Sequence, residues 1–295
     1  MKRSTTIETQ IETLVKRGMI LDLGKDKTKE ILSDIGYFRL GFYCFPFESS
    51  YPSHLNRTHE YIKGTKISDV VNLYYLDVDL RNILSKYINR IEVNFRTNVV
   101  YEVSNEFINS NTWFADPAIM TKKYVDEFDS KVYTVSFKRN QTIRLHHLKY
   151  INDKYAPAWK TLEFLTFGGI LTMFKNIKDI RIREIIANKY GIRNSTVFER
   201  YLGSIVEIRN RCAHGGVLFD FTLALSLSNG PAIRVDNIKK NILNSAIEVM
   251  IFILRNISGC RANEMRKAID DLFNAHKNDK TIRSIIERCI GYKYN

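Results

Sequence analysis

The sequence predicts an all-α protein, on the basis of three observations. Proline is rare, with five in 295 residues, and the glycines fall mostly between segments of helical periodicity. Apolar residues recur at three- and four-residue steps over long stretches, whereas the strict alternation of a half-buried strand is scarce. The hydrophobic fraction of 44% is that of an ordinary globular protein. The chain can therefore bury a helical core.

The N-terminal region contains two predicted helices and an aromatic segment. The helices cover residues 6–17 and 26–35, and each ends at a glycine, a residue that commonly closes helices. The aromatic segment, residues 36–47, reads Gly-Tyr-Phe-Arg-Leu-Gly-Phe-Tyr-Cys-Phe-Pro-Phe. Two interpretations are open: a platform on which nucleic-acid bases stack, or a hydrophobic wedge that docks the N-terminal helices. We favour the wedge.

The strongest helical pattern spans residues 67–103. Its apolar positions are Val70, Leu73, Leu76, Leu80, Ile83, Tyr87, Ile91 and Phe95. Two aspartates near its middle leave open whether the helix is continuous or broken. Glu92 and Arg96 lie four residues apart on the polar side, where such residues can pair. A solvated pair is the usual outcome, and support of a catalytic group is the alternative.

A basic stretch at residues 138–150 interleaves cations with apolar residues, after a predicted helix at 121–132. The candidate RNA-contacting cations in it are Lys138, Arg139, Arg144 and Lys149. A charged helix face whose other side packs inward is the more common structure for such a pattern. Both interpretations predict that these cations are exposed.

The rest of the chain is predicted to be helical. A helix starts near Ala158 and ends near Gly168, and others cover 170–190, 196–214, 237–258 and 261–291. A capping box, with Thr196 as the cap and Glu199 three residues later, predicts the start of the helix at 196–214. A glycine after residue 214 provides its stop signal.

The charge balance favours a polyanionic partner. Lys and Arg number 45 against 32 Asp and Glu, which gives a net charge of +13. Such a surplus suits nucleic acid or an acidic membrane surface, although many basic proteins simply have a solvated charged surface. No apolar run approaches the roughly 18 residues of a membrane span, and the N-terminus lacks a signal peptide's apolar stretch. We therefore expect a cytoplasmic protein that binds RNA and no membrane.

Cysteine and histidine usage gives no sign of a metal or cofactor. The four cysteines are scattered without a Cys-x-x-Cys pair, and the six histidines include no His-Glu-x-x-His. These patterns provide neither zinc-site spacing nor a disulfide framework. We expect a metal-free protein without a cofactor.

The most informative stretch is residues 208–216, Ile-Arg-Asn-Arg-Cys-Ala-His-Gly-Gly. His214 can move a proton near neutral pH, and Arg209 has a fixed fork of donors that can hold a phosphate and stabilise developing charge. Asn210 lies four residues before His214, so its amide can orient the ring or a bound phosphate. Arg211 adds a cation to the same polar stripe. These are the groups needed to cut RNA without a metal.

Spacing alone does not decide for catalysis. An arginine followed shortly by a histidine should occur about once by chance in a basic chain of this length. A histidine at a helix C-terminus is also stabilised by the helix dipole. A purely structural role for His214 is therefore the alternative.

The motif resembles the signature of HEPN ribonucleases, in which Arg and an adjacent polar residue precede His at this interval. The chain also resembles the Abi-like family of bacterial abortive-infection proteins, of the AbiD and AbiF type. The blocks that match are residues 35–43, 46–47, 73–74, 77, 80–81, 90–92, 158–160, 166–169 and 208–214. Many relatives carry more polar residues directly after the histidine, where this chain has Gly-Gly-Val-Leu-Phe.

The resemblance implies a HEPN-like helical bundle in three parts. Residues 1–62 would form a small helical N-terminal region, 63–231 the HEPN-like domain with the Arg-Asn-x-x-x-His motif, and 232–295 a helical extension packed on the same body. It also implies a homodimer in which two motifs face each other across a cleft. The implied activity is RNA cleavage in phage defence, controlled by a small regulatory RNA or an antitoxin.

Carried to this sequence, the resemblance makes Arg209 and His214 the catalytic pair, supported by Asn210. Glu92 and Arg96 would lie on the long helix beside the motif and support it. The expected reaction is attack of the RNA 2′-hydroxyl on its own phosphate, which leaves a 2′,3′-cyclic phosphate and needs no metal. Two other functions are open: a non-catalytic RNA-binding protein, and a helical interaction scaffold that uses the aromatic segment.

Overall fold

The computed structural model describes residues 4–233 and 240–294, and this part of the chain is all-α as predicted. It contains 14 α-helices and no strand, with four isolated β-bridges between loops and helix ends. In chain order the helices are α1 (Ile7–Lys16), α2 (Lys25–Asp34), α3 (Tyr37–Cys44), α4 (Ile67–Glu106), α5 (Lys122–Lys131), α6 (Val135–Lys138), α7 (Gln141–Lys149), α8 (Ala158–Thr161), α9 (Phe167–Lys175), α10 (Ile180–Asn188), α11 (Ser195–Ala213), α12 (Leu243–Ile257), α13 (Gly259–Asn274) and α14 (Lys280–Ile285). Within the same described ranges, no helix is both long and apolar enough to cross a membrane.

The chain forms two compact units. The first unit comprises Met1–Ile83, Gly215–Phe221 and Lys267–Asn295, and the second unit comprises Leu84–His214 and Thr222–Arg266. The three-part division predicted at residues 62 and 231 stays a prediction.

Helix α4 is one continuous helix of 40 residues, so the two aspartates do not break it. The predicted spacing is wrong at Ile83, which is only partly buried while Leu84 is fully buried. The other buried positions follow the prediction and continue it: Val70, Leu73, Leu76, Leu80, Tyr87, Ile91, Phe95, Val99 and Val103. Each such side chain contributes roughly 1.5–3 kcal/mol when it is fully buried. This apolar stripe explains why the helix persists over so great a length.

The aromatic segment is divided between the interior and the surface of the first unit. Tyr43, Phe45 and Phe47 are buried, as the wedge interpretation requires. Phe38 and Phe42, one helical turn apart on α3, are 82% and 44% exposed. Burial therefore accounts for only part of the segment.

The core of the second unit contains a cluster of three phenylalanines. The ring centroids of Phe95, Phe174 and Phe198 lie 5.5–5.7 Å apart with steep interplanar angles, the arrangement that aromatic rings prefer. Trp113 is completely buried in the same unit and donates its indole N–H to the Ser104 hydroxyl at 3.0 Å. The phenylalanine contacts join α4, α9 and α11, and the Trp113 contact joins a 3-10 turn to α4.

The helix that starts at Ala158 is shorter than predicted, so the predicted end near Gly168 is wrong. Helix α8 stops at Thr161, a short 3-10 turn follows, and the chain is extended at Leu165. Thr166 then caps α9 by accepting a hydrogen bond from the Gly169 amide at 3.1 Å. The two glycines therefore begin a helix, because a capping hydroxyl precedes them.

Two other predicted helices are each interrupted. The region 170–190 contains the end of α9 and all of α10, which Asp179 caps. The region 261–291 contains α13, α14 and a π-helical turn, Ile286–Ile290, and Asp279 caps α14. Each aspartate offers its carboxylate to free amides of the next helix, which favours a new start. The helix predicted at 237–258 is present as α12, and residues 237–239 lie outside the described residues.

Candidate functional site

Helix α11 places the motif in its last turn and at its end. Asn194 caps its start by accepting from the Val197 amide at 3.0 Å, so the predicted cap at Thr196 is wrong. The apolar face, which includes Ile205 and Ile208, is buried and fixes the rotation of the helix about its axis. The polar side chains of the motif are consequently directed away from this core.

The helix ends at His214 because Gly215 reverses the chain. The His214 amide still bonds to the Asn210 carbonyl at 3.0 Å, but its own backbone is no longer helical. Gly215 has φ +63°, a left-handed conformation that favours glycine. A Cβ atom there would lie 3.2 Å from the Arg39 guanidinium, whose Nη1 donates to the Gly215 carbonyl at 2.7 Å.

Arg209 lies beside the predicted supporting pair. Its Nε is 3.8 Å from Oε2 of Glu92, and Oε1 of Glu92 accepts from Nη2 of Arg96 at 3.0 Å. Arg96 also donates to the Leu165 carbonyl at 3.0 Å, which anchors this buried guanidinium. The Glu92 side chain is 14% exposed and that of Arg209 is 37% exposed. Glu92 thus holds a fixed arginine on one side and the motif arginine on the other.

Asn210 and His214 are both exposed. The Asn210 side-chain oxygen accepts from Arg209 Nη1 at 3.4 Å, so the amide contacts the arginine and not the imidazole. Among the described residues, none forms a hydrogen bond with the His214 ring. His214 follows Arg209 by five positions, an offset that turns the two side chains about 140° apart around the helix axis. One chain therefore presents the arginine and the histidine in different directions.

The predicted RNA-contacting cations lie at the surface of the second unit. Lys138, Arg139, Arg144 and Lys149 are all exposed, and Arg211 in the last turn of α11 is partly exposed. Lys138 and Arg144, together with His147 and Lys154, line a cavity of about 460 Å³.

His147 lines this basic cavity, and His146 directly precedes it in the chain. His146 is buried and its Nε2 lies 3.0 Å from the Asp153 carboxylate, while Nε2 of His147 meets the Tyr133 hydroxyl at 2.9 Å. Burial, the neighbouring His146 and Lys138 lower the pKa of His147. His147 therefore stays neutral to a lower pH than a free imidazole, and the positive charge of this cavity comes from its lysines and arginine.

A buried polar network, which the sequence did not reveal, holds the segment that follows the motif. Oδ1 of Asp77 accepts from the Leu218 and Phe219 amides at 2.9 and 3.0 Å. Its Oδ2 accepts from the Tyr43 hydroxyl at 2.8 Å and from Arg81. All of these residues belong to the first unit, and Asp77 is completely buried. The signal was its position: Asp77 occupies the apolar stripe of α4.

Nothing in residues 4–233 and 240–294 groups three His, Cys, Asp or Glu side chains so that they could hold a metal ion.

The model of the family described as Abi-like protein matches residues 30–220, nearly two thirds of the chain. The chain belongs to the Abi-like family. In this Abi-like protein the match begins in α2 and ends just after the motif, so it includes Asp77, Glu92 and His214. It excludes α12, α13 and α14. Comparison with curated proteins and with solved structures finds no match.

Proposed function

We propose that this Abi-like protein is a metal-independent endoribonuclease of the HEPN type, close to the AbiD and AbiF proteins, that acts in abortive infection. Membership of the Abi-like family supports the role in phage defence. The main support for the chemistry is the arrangement at the end of α11, where Arg209 pairs with Glu92, Arg96 holds Glu92 from the other side, and the His214 imidazole is exposed to solvent.

In the proposed reaction, the RNA 2′-oxygen attacks the adjacent phosphorus while His214 removes its proton as general base. A bond forms between the 2′-oxygen and phosphorus, and the bond from phosphorus to the 5′-oxygen breaks. The leaving 5′-oxygen takes up a proton, which gives a 5′-hydroxyl and a 2′,3′-cyclic phosphate. Arg209 stabilises the extra negative charge on the pentacoordinate phosphate. DNA lacks the nucleophile and should not be cut.

A homodimer would supply what one motif lacks. The reaction needs a base for the 2′-hydroxyl and an acid for the 5′-oxygen, and one chain offers a single imidazole in the motif. Arg209 and His214 of one chain also diverge around α11. The His214 imidazole of a second copy could provide the acid, with the two motifs facing each other.

The proposed substrate is single-stranded RNA, held by Arg211 and by the exposed cations of the basic stretch. The net charge of +13 supports a polyanionic partner. Lys138 and Arg144 line the basic cavity, and Arg139 and Lys149 are exposed nearby in the sequence. A small regulatory RNA or an antitoxin is the proposed means of control in the uninfected cell.

The test is incubation of the wild type and His214→Ala with total bacterial RNA in EDTA, followed by identification of the product ends. We expect cyclic phosphates from the wild type and a loss of at least about a hundredfold in the variant. The matched control is His54→Ala, because the His54 side chain is 70% exposed and lies outside the motif. Equal cutting by His214→Ala would refute the assignment. Tight RNA binding by the wild type without any cutting would favour the non-catalytic RNA-binding alternative.

A further inference from the structure

The first unit contains a cavity beside the exposed part of the aromatic segment. Its volume is about 270 Å³, slightly below the roughly 300–1,000 Å³ typical of small-molecule sites. Leu14, Leu40 and Cys44 provide an apolar floor, and Phe38 and Phe42 stand among the lining residues. A cavity of this size suits a single ring system.

The two phenylalanines present aromatic surface to solvent. Their ring centroids lie 5.1 Å apart with the planes 77° apart, and Phe38 is 82% exposed. The exposure of an aromatic ring to water is unfavourable, and a flat ligand that bound against the ring would remove this apolar surface from water. The geometry therefore favours a planar ligand that stacks on one ring and touches the edge of the other.

The same cavity is lined by the cation of Arg17. Nη1 of Arg17 donates to the Tyr37 hydroxyl at 3.1 Å, and among the described residues Arg17 has no carboxylate partner. The carboxylate in the cavity, Glu48, is already occupied by Arg57 and by His59 Nδ1 at 3.3 Å. The positive charge of Arg17 is thus available for an anion that reaches the cavity.

His59 lies at the polar side of the cavity in a fixed position. Its backbone has φ +61°, a conformation that non-glycine residues rarely adopt and that often marks ligand sites. Burial raises the pKa of the Cys44 thiol to about 12, so the floor is uncharged at neutral pH. The charges that a ligand meets therefore come from the two arginines and from Glu48, which Arg57 already neutralises.

We propose that this cavity binds one base of a single-stranded RNA, stacked on Phe38 or Phe42, with Arg17 paired to the neighbouring phosphate. RNA combines a flat aromatic face and a monoanion in each repeating unit, which matches the two features of the cavity. A protein segment that covered the phenylalanines would need an acidic side chain placed for Arg17 as well. The site lies in the first unit and does not depend on the proposed cleavage reaction.

The test measures binding of a fluorescently labelled short single-stranded RNA by anisotropy, with His214→Ala as the common background so that no RNA is cut. Adding Phe38→Ala and Phe42→Ala together should raise Kd about tenfold to a hundredfold, the usual cost of losing a stacking ring. Adding Arg17→Gln should weaken binding and lower the slope of log Kd against log salt by about 0.7, as expected for one lost phosphate contact. Matched controls are Tyr101→Ala, since Tyr101 is 61% exposed, and Arg193→Gln, since Arg193 is also exposed.

A direct probe compares adenosine monophosphate with ribose 5-phosphate, which lacks the base. The wild type should bind the nucleotide more tightly, and the double phenylalanine variant should bind both equally. Nucleotide and RNA binding as tight in the double variant as in Tyr101→Ala would overturn the proposal. It would also be overturned if the double variant lost only a co-purifying protein and kept its RNA affinity. Failure of the ribonuclease assignment alone would leave nucleotide binding intact and RNA uncut.

Discussion

Replacing the buried Asp77 by asparagine should strongly destabilise the first unit. Asparagine keeps the shape of the side chain but has one accepting oxygen where aspartate has two. Four donors now share those oxygens: the Leu218 and Phe219 amides, the Tyr43 hydroxyl and Arg81. If the asparagine oxygen accepts from the two backbone amides, the asparagine NH₂ group faces the Arg81 guanidinium. Arg81 then loses its carboxylate partner.

The size of the effect follows from burial. Asp77 is completely buried and the Arg81 side chain is 10% exposed, so solvent replaces little of what is lost. Removing one partner of a buried ion pair typically costs about 3–5 kcal/mol. At about 4 °C per kcal/mol for a unit of this size, the melting temperature of the first unit should fall by roughly 12–20 °C.

Thermal unfolding followed by circular dichroism tests this estimate, and hydrogen exchange of residues 215–221 tests its location. Those amides should exchange faster in the variant, because Asp77 accepts from two of them. The control is Asp79→Asn, an exposed aspartate two residues along the same helix, which should change stability by less than about 0.5 kcal/mol. The reasoning would be refuted if Asp77→Asn melted at the same temperature as Asp79→Asn.

Three further predictions concern ion pairs and thiols. Glu92→Gln should lower the rate of RNA cleavage about fivefold, because its partly exposed pair with Arg209 contributes roughly 1 kcal/mol. The control is Glu102→Gln on the same helix, and equal cleavage rates for the two variants would contradict the prediction. Burial alone would raise the pKa of Glu48, but its arginine and histidine partners hold it below the usual value. The stability lost in Glu48→Gln, measured by urea unfolding, should therefore be full at neutral pH and vanish as pH falls below about 4; a loss that is independent of pH would contradict this. In the native protein, maleimide should label the exposed Cys260 and leave the buried Cys44, whose pKa is raised to about 12, unmodified. Mass spectrometry of peptides measures the labelling, and faster labelling of Cys44 would contradict the prediction.

Periodicity predicted the helices with long apolar stripes well, and predicted their ends less well. Helix α11 was expected to start at a capping box formed by Thr196 and Glu199, yet Asn194 caps it. Glu199 instead pairs with Arg183 of α10 at 2.9 Å. The spacing of residues along one helix does not show which neighbouring helix will take one of its carboxylates.

The surroundings of the motif were only partly predictable for the same reason. The spacing of Glu92 and Arg96 indicated that they pair on one helix face, and they do. The approach of Arg209 to Glu92 depends on the packing of α11 beside α4, which the resemblance implied and the spacing could not. The sequence shows Asp77 as a charged residue within an apolar stripe. It does not show the backbone partners of Asp77, because they lie some 140 residues later in the chain.

The positions of the two tryptophans turn the fluorescence of this protein into a reporter of one unit. Trp113 is buried with its indole N–H bonded, Trp159 is half-exposed, and both belong to the second unit. Light that excites tryptophan selectively therefore follows the loosening of the helices that bear the motif, while circular dichroism follows helices throughout the chain. In Asp77→Asn, an ellipticity change that precedes the shift in tryptophan emission would show that the first unit can melt while the second remains folded.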